Sequence, residues 1–76
     1  VMLEPVDKSE DAIIIEFKVR NTGKEASLEE TVRTALQQIE EKEYEAELIN
    51  RGFVRKKIRK YGFAFEGKRV LIGEGK

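Results

Sequence analysis

Glu16-Phe17-Lys18 is the stretch best equipped to do chemistry. Residues two apart on a strand point the same way, roughly 6.5 Å apart along it at about 3.3 Å rise per residue, so Glu16 and Lys18 share a face. A carboxylate there offers the hard oxygen that a divalent cation takes, and Mg²⁺ typically uses one or two such groups with water and substrate phosphate. A lysine beside it can hold an attacking water or stabilise the charge that builds on a phosphate. The pair suits metal-dependent phosphodiester cleavage. It equally suits a same-face ion pair on a half-solvated strand, worth about 0–1 kcal/mol.

Two further groups are candidates. Gln38 lies beside Ala35 and Ile39 on the following helix. Its amide can reach a site carboxylate or a nucleic-acid backbone, or simply face solvent as a good helix former. The basic stretch Arg51…Arg55-Lys56-Lys57…Arg59-Lys60 is edged by Phe53 and Tyr61. Such clusters bind phosphate backbones. The same stretch can instead pair with the acidic helix that carries Glu40, Glu41, Glu43, Glu45 and Glu47.

The elements that must position these residues are legible from periodicity. Ala12 to Arg20 reads as a strand, opened by three χ1-stiff isoleucines. Its continuous apolar start predicts cover on both faces. From Ile15 the pattern alternates, with Ile15, Phe17 and Val19 on one face and Ile14, Glu16, Lys18 and Arg20 on the other. Val1-Met2-Leu3 is a short apolar piece stopped by Pro5, predicting a hairpin or tight meander with that strand. Ser27-Leu28-Glu29-Glu30 fits a capping box. Leu28, Val32, Ala35, Leu36 and Ile39 then follow helical spacing, predicting a helix over about 28–42. The stripe breaks at Lys42 and Glu43, which predicts a kinked or separate turn to about 50, closed by Gly52. Ile58 to Phe65 predicts a strand with Tyr61, Phe63 and Phe65 on one face and the small Gly62 and Ala64 on the other, where a helix can approach closely. Arg69 to Ile72 predicts a last short strand, with Gly73 to Lys76 frayed. The order is ββαββ, an α/β (α+β) layer of one helix on a small mixed sheet.

Composition excludes much else. The 76 residues contain no Cys and no His, so thiol nucleophiles, disulfides, imidazole bases and Cys- or His-ligated zinc are ruled out. The longest apolar run, Ala12 to Ile15, is far below the about 20 residues of a membrane helix. No signal peptide is visible, so a cytoplasmic location is expected. The net charge is zero, yet residues 1–50 carry 6 basic and 13 acidic side chains while residues 51–76 carry 9 and 2, balances of −7 and +7. Such asymmetry marks a nucleic-acid surface or an internal complement.

The pieces I-I-I-E-F-K-V, A-L-Q-Q-I-E-E-K-E-Y and Y-G-F-A-F-E-G-K-R-V, in that order, resemble the C-terminal nuclease-like domain of a bacterial protein family. In that family the domain follows an AAA-type ATPase-like domain and belongs to the PD-(D/E)XK nuclease superfamily. The similarity covers nearly the whole chain and implies part of a restriction-endonuclease-like core, whose full arrangement is αβββαβ. It implies that Glu16 binds Mg²⁺ or Mn²⁺ with the backbone carbonyl of Phe17, and that Lys18 is the catalytic lysine. Gln38 and Tyr44 resemble the helix motif of exonuclease-like members, although five residues separate them here where Gln-x-x-x-Tyr is common.

The superfamily also places an Asp on the strand before the (D/E)XK strand. Here that strand is Val1-Met2-Leu3, which puts the Asp at or before the first residue, and Glu4 and Asp7 come too late on the strand to replace it. The expectation is a single partial domain, 1–76, truncated at its N-terminus and inactive alone, from a parent that cleaves nucleic acid. The competing expectation is a non-catalytic module that binds nucleic acid or protein beside an ATPase domain. Arg55, Lys56, Lys57, Arg59 and Lys60 would guide the nucleic-acid backbone. An open sheet edge would invite a homodimer.

Overall fold

A computed structural model describes residues 1–75. Strand β1 (Met2–Leu3) and strand β2 (Ala12–Val19) come first, then helix α1 (Leu28–Glu41) and helix α2 (Tyr44–Asn50). A 3-10 turn (Arg55–Lys57) leads into β3 (Ile58–Glu66), and β4 (Arg69–Gly75) completes a four-stranded sheet in the order β1-β2-β3-β4. The outer pairs are antiparallel and the central pair, β2 with β3, is parallel. The parallel pair needs a crossover, which the two helices supply.

Each boundary has a local cause. Extended Ser27 caps α1, its hydroxyl accepting from the Glu30 N–H at 3.4 Å. Glu30 turns back to the Ala26 N–H rather than to that of Ser27. The expected break after α1 falls at Glu43, in the left-handed region at φ 55°. Gly52 ends α2 at φ 104°, a conformation that a side chain would strain.

The helices pack on one face of the sheet. One cluster joins Ala12, Ile14, Ile39, Leu48 and Phe53, and a second joins Leu28, Val32 and Ala64. Contact is close because the sheet residues under α1 are small. A Cβ added at Gly62 would lie 3.0 Å from the Val32 carbonyl oxygen and 3.2 Å from the Ala35 Cβ.

Two expectations need correction. The apolar start of β2 is not covered equally on its two faces: Ala12 and Ile14 are fully buried beneath the helices, whereas Ile13 and Ile15 on the other face are only half-buried. A run of isoleucines satisfies a sheet covered on either one face or two, so composition did not separate these cases. Gly73 to Gly75 are not frayed but continue β4, with Gly73 opposite Gly62 and Gly75 opposite Lys60. Gly73 and Gly75 belong to the small-residue floor beneath α1, where a Cβ at Gly75 would meet Leu36 at 3.1 Å. Lys76 lies outside the described residues.

Gly62→Val tests this floor. Its branched side chain meets backbone that cannot yield, and overpacking of this kind costs about 1–3 kcal/mol. The expected outcome is a lower urea midpoint with an unchanged slope. An unchanged midpoint would show that α1 does not need the close approach.

Candidate functional site

The site is built on the helix-facing side of β2. Glu16 and Lys18 both project toward α1, as alternation requires, but they make no ion pair with each other among the described residues. Each takes a different partner from the α1 side. Lys42, at the C-cap of α1, donates to the Glu16 carboxylate at 2.9 Å. Lys18 meets Glu25, in the loop before α1, at 3.2 Å. The Glu16 and Lys18 side chains are partly buried, so both pairs are shielded from bulk water on one side.

Glu25 is the best-held carboxylate of the group. It accepts from the Asn21 backbone N–H at 2.7 Å and from the hydroxyl of fully buried Thr31 at 3.0 Å, and it pairs with Lys18. The Asn21 hydrogen bond, with Lys18 and Thr31, outweighs the cost of burial and holds its pKa down to about 2. A fixed anion at this position orients the Lys18 ammonium. On the neighbouring pair, the hydrogen bond from Lys42 to Glu16 raises the lysine pKa above its ordinary value.

Three of these residues escaped the sequence reading. Glu25 sits in a loop without periodicity. Thr31 lies one turn before Ala35 on the buried side of α1, so a hydroxyl among apolar positions was the available signal. Lys42 was visible only as the interruption of the apolar stripe.

Phe17 is placed differently from its neighbours. Ile15 exchanges hydrogen bonds with Val1, donating and accepting at 2.7 Å. Strand alternation then turns the Phe17 N–H and C=O to the same edge of β2, where the described pairing of β1 reaches no further than Ile15. Its carbonyl oxygen therefore faces that edge, next to Glu16. Gln38 is half-buried on α1 one turn before Lys42, and its amide makes no side-chain hydrogen bond among the described residues. Tyr44 opens α2 and packs against the core, with Lys42 5.9 Å from its ring centre.

The basic residues are not gathered around Glu16. Ala12 lies opposite Ile58, so the 3-10 turn enters the sheet four residues before the level of Glu16, about 13 Å along the strand. Arg55 pairs with Glu45 at 2.6 Å, Arg59 with Asp11 at 2.7 Å and with Glu74 at 3.3 Å. Lys60 is buried against Glu40 and Glu45. Burial opposes its charge, and the two glutamates more than compensate, raising its pKa. Lys56 and Lys57 form no ion pair among the described residues. A groove of about 490 Å³, lined by Glu40, Glu45, Ile49, Arg55, Ile58 and Lys60 among others, lies at this end, and neither Glu16 nor Lys18 lines it.

An acid and a lysine thus share one face of a β-strand beneath a crossover helix, in a small mixed α/β domain. The family model of the PD-(D/E)XK nuclease superfamily matches residues 1–75, and the chain belongs to that superfamily. No curated protein and no solved structure matches it. No helix among the described residues is long and apolar enough to cross a membrane.

The Glu25 cluster predicts acid sensitivity. A carboxylate whose folded pKa is depressed stabilises the fold above its unfolded pKa, and that contribution is lost as pH falls from about 4.5 toward 2. Glu25→Gln is therefore less stable than the native chain at pH 7 and flatter in its denaturation midpoint between pH 5 and pH 2. Parallel pH profiles of the two proteins would remove Glu25 from the role.

Proposed function

We propose that this chain is part of a Mg²⁺- or Mn²⁺-dependent nuclease domain that cleaves nucleic-acid phosphodiesters in its whole protein, and that the 76-residue chain is inactive by itself. The observation that carries the reading is Lys18 held by Glu25 on the same strand face as Glu16, in a member of a nuclease superfamily.

The available donors were weighed for a metal. Glu16 contributes one carboxylate oxygen and Phe17 one edge carbonyl, both of the hard type that Mg²⁺ prefers. Among the described residues no three Asp or Glu side chains gather where they could hold an ion. The donors fit part of a site, not a complete one. A bound Mg²⁺ would supply charge stabilisation to the phosphate and a more acidic water. Lys18 is directed by Glu25 toward the same side and can hold that water or the phosphate by its ammonium. Exposed Lys56, with half-exposed Lys57, is the part of this basic stretch available to a nucleic-acid backbone. Gln38, with an amide of uncommitted hydrogen-bonding capacity, can orient either Glu16 or the backbone. An AAA-type ATPase-like domain in the same parent chain completes the proposal.

A second reading also has an observation behind it. Lys42 already neutralises Glu16, and Glu25 already neutralises Lys18. Two closed ion pairs suit a non-catalytic module that binds nucleic acid or protein beside an ATPase.

Cleavage assays on the whole protein with Mg²⁺ or Mn²⁺ separate the two. Glu16→Ala and Lys18→Ala should each reduce cleavage by about 100-fold or more, the scale for losing one transition-state contact. Cleavage that survives both substitutions would sink the nuclease assignment, and nucleic-acid binding without cleavage would favour the module. Lys42→Met gives a companion prediction. A pair worth up to about 1 kcal/mol no longer has to open, so Mn²⁺ affinity at Glu16 should rise about fivefold.

A further inference from the structure

Arg20 continues the alternation of Glu16 and Lys18 and so turns to the same side of the sheet. It stands just past the end of β2, where its N–H donates to the Phe65 carbonyl at 2.9 Å and carries the parallel ladder one residue further. A half-buried cation so near Lys18 invites reading as a phosphate contact, but its donors are committed within the chain. Nε donates to the Glu25 carbonyl at 3.0 Å, Nη2 to the Ala26 carbonyl at 3.2 Å, and Nη1 to the carboxylate of Glu66 at the end of β3.

These contacts converge on the residue that holds Lys18. Glu25 is buried and is held by backbone and side chain alike. Its N–H donates to the Asn21 carbonyl at 2.8 Å, and one carboxylate oxygen accepts from the Asn21 N–H and the Thr31 hydroxyl. The other carboxylate oxygen faces the Lys18 ammonium at 3.2 Å. Asn21 and Thr31 set Glu25 against β2 and α1, and Arg20 adds a tie across to β3. Every partner in this cluster lies within the chain, between Lys18 and Glu66.

The geometry asks for arginine in particular. A planar guanidinium presents its donors in a fixed fork, so one side chain can hold successive carbonyls and a carboxylate at once. Lysine has a single nitrogen on a flexible stem and cannot span the same acceptors.

We propose that Arg20 is a positioning residue for Lys18 that acts through Glu25: it fixes the loop backbone on which that carboxylate is mounted, and so sets where the lysine ammonium stands beside Glu16. The consequence for cleavage rests on the nuclease reading above, whereas the hold on Lys18 does not.

Two measurements on the whole protein test it. In cleavage assays well below the unfolding midpoint, Arg20→Met should lower kcat about tenfold or more, because a misplacement of about 1 Å costs up to about 100-fold. Arg20→Lys should not restore the rate, whereas a role in charge balance alone would be met by either cation. In a Glu25→Gln background, Arg20→Met should cost less than about twofold, since the carboxylate through which it acts is already gone. An equal loss in both backgrounds, or full activity in Arg20→Lys, overturns the proposal. The second measurement needs no activity. Lysine-selective ¹³C,¹⁵N labelling follows the Lys18 side-chain signal, assigned by its loss in Lys18→Ala. Arg20→Met should move that signal toward the shift of a solvated lysine, and Glu25→Gln should move it the same way. A Lys18 signal indifferent to Arg20→Met overturns the proposal whatever the assays give. A native protein that does not cleave sinks the nuclease reading, and the Lys18 signal then decides the positioning role by itself. Should Arg20→Met fail to fold, Arg20→Lys carries both comparisons.

Discussion

The close approach of α1 to the sheet is the constraint on which the other features depend. Gly62, Ala64, Gly73 and Gly75 form a floor of small residues under the helix, and Val32, Ala35 and Leu36 rest on it. With bulkier residues there, α1 would ride higher and its β2 flank would lift as well. Thr31 and Lys42 lie on that flank, and their reach to Glu25 and Glu16 is 3.0 Å and 2.9 Å. The polar pairs thus inherit their geometry from glycines on two other strands. A packing decision in β3 and β4 becomes an electrostatic one in β2.

Charge is arranged by the same economy of space. The basic segment after residue 50 is tied back to the acidic part of the chain through Arg51 with Glu4 and Glu47, Arg55 with Glu45, Arg59 with Asp11, and Lys60 with Glu40 and Glu45. Most of these pairs are exposed, and each adds little stability. Lys60 differs because it is buried, and removing its partners would leave an uncompensated charge beneath the helices. The opposite halves of the chain therefore cancel within the molecule. What remains for an external polyanion is the short stretch around Lys56 and Lys57 and, in the turn between β3 and β4, Lys68, less than the composition of that segment suggests.

The elements were largely readable because each had a local signal: the Ser27 cap, the five-residue helical stripe, the break at Lys42-Glu43, and the alternation of β3. The site was readable only where the motif was contiguous. Glu16 and Lys18 stand two apart and share a face by geometry alone. Glu25, Thr31 and Lys42 are brought to them by the crossover, and nothing in their own neighbourhoods marks them as partners. The missing cover on the second face was unreadable for another reason. Isoleucine and phenylalanine in alternation describe a surface that wants burial, and they do not say what provides it. Gly73 to Gly75 misled for a related cause: glycines at a chain end resemble fraying unless the helix that needs their small size is already placed.

Strand β2 has to meet three demands at once, and its period of two separates them. Even positions carry Glu16 and Lys18 to the helix side; odd positions carry Phe17 and Val19 to the uncovered side. The backbone of Phe17 faces a third direction, the β1 edge of the strand past Ile15. The residue between the acid and the lysine is therefore free to be chosen for the uncovered side, because its contribution next to Glu16 is a carbonyl that every residue possesses. That freedom ends at register. A slip of one residue would turn the acid and the lysine to the aromatic face and bury Phe17 against α1. The ladder with β3, fixed by Ile14 opposite Lys60 and Glu16 opposite Gly62, holds the polar pairs and the aromatic face apart.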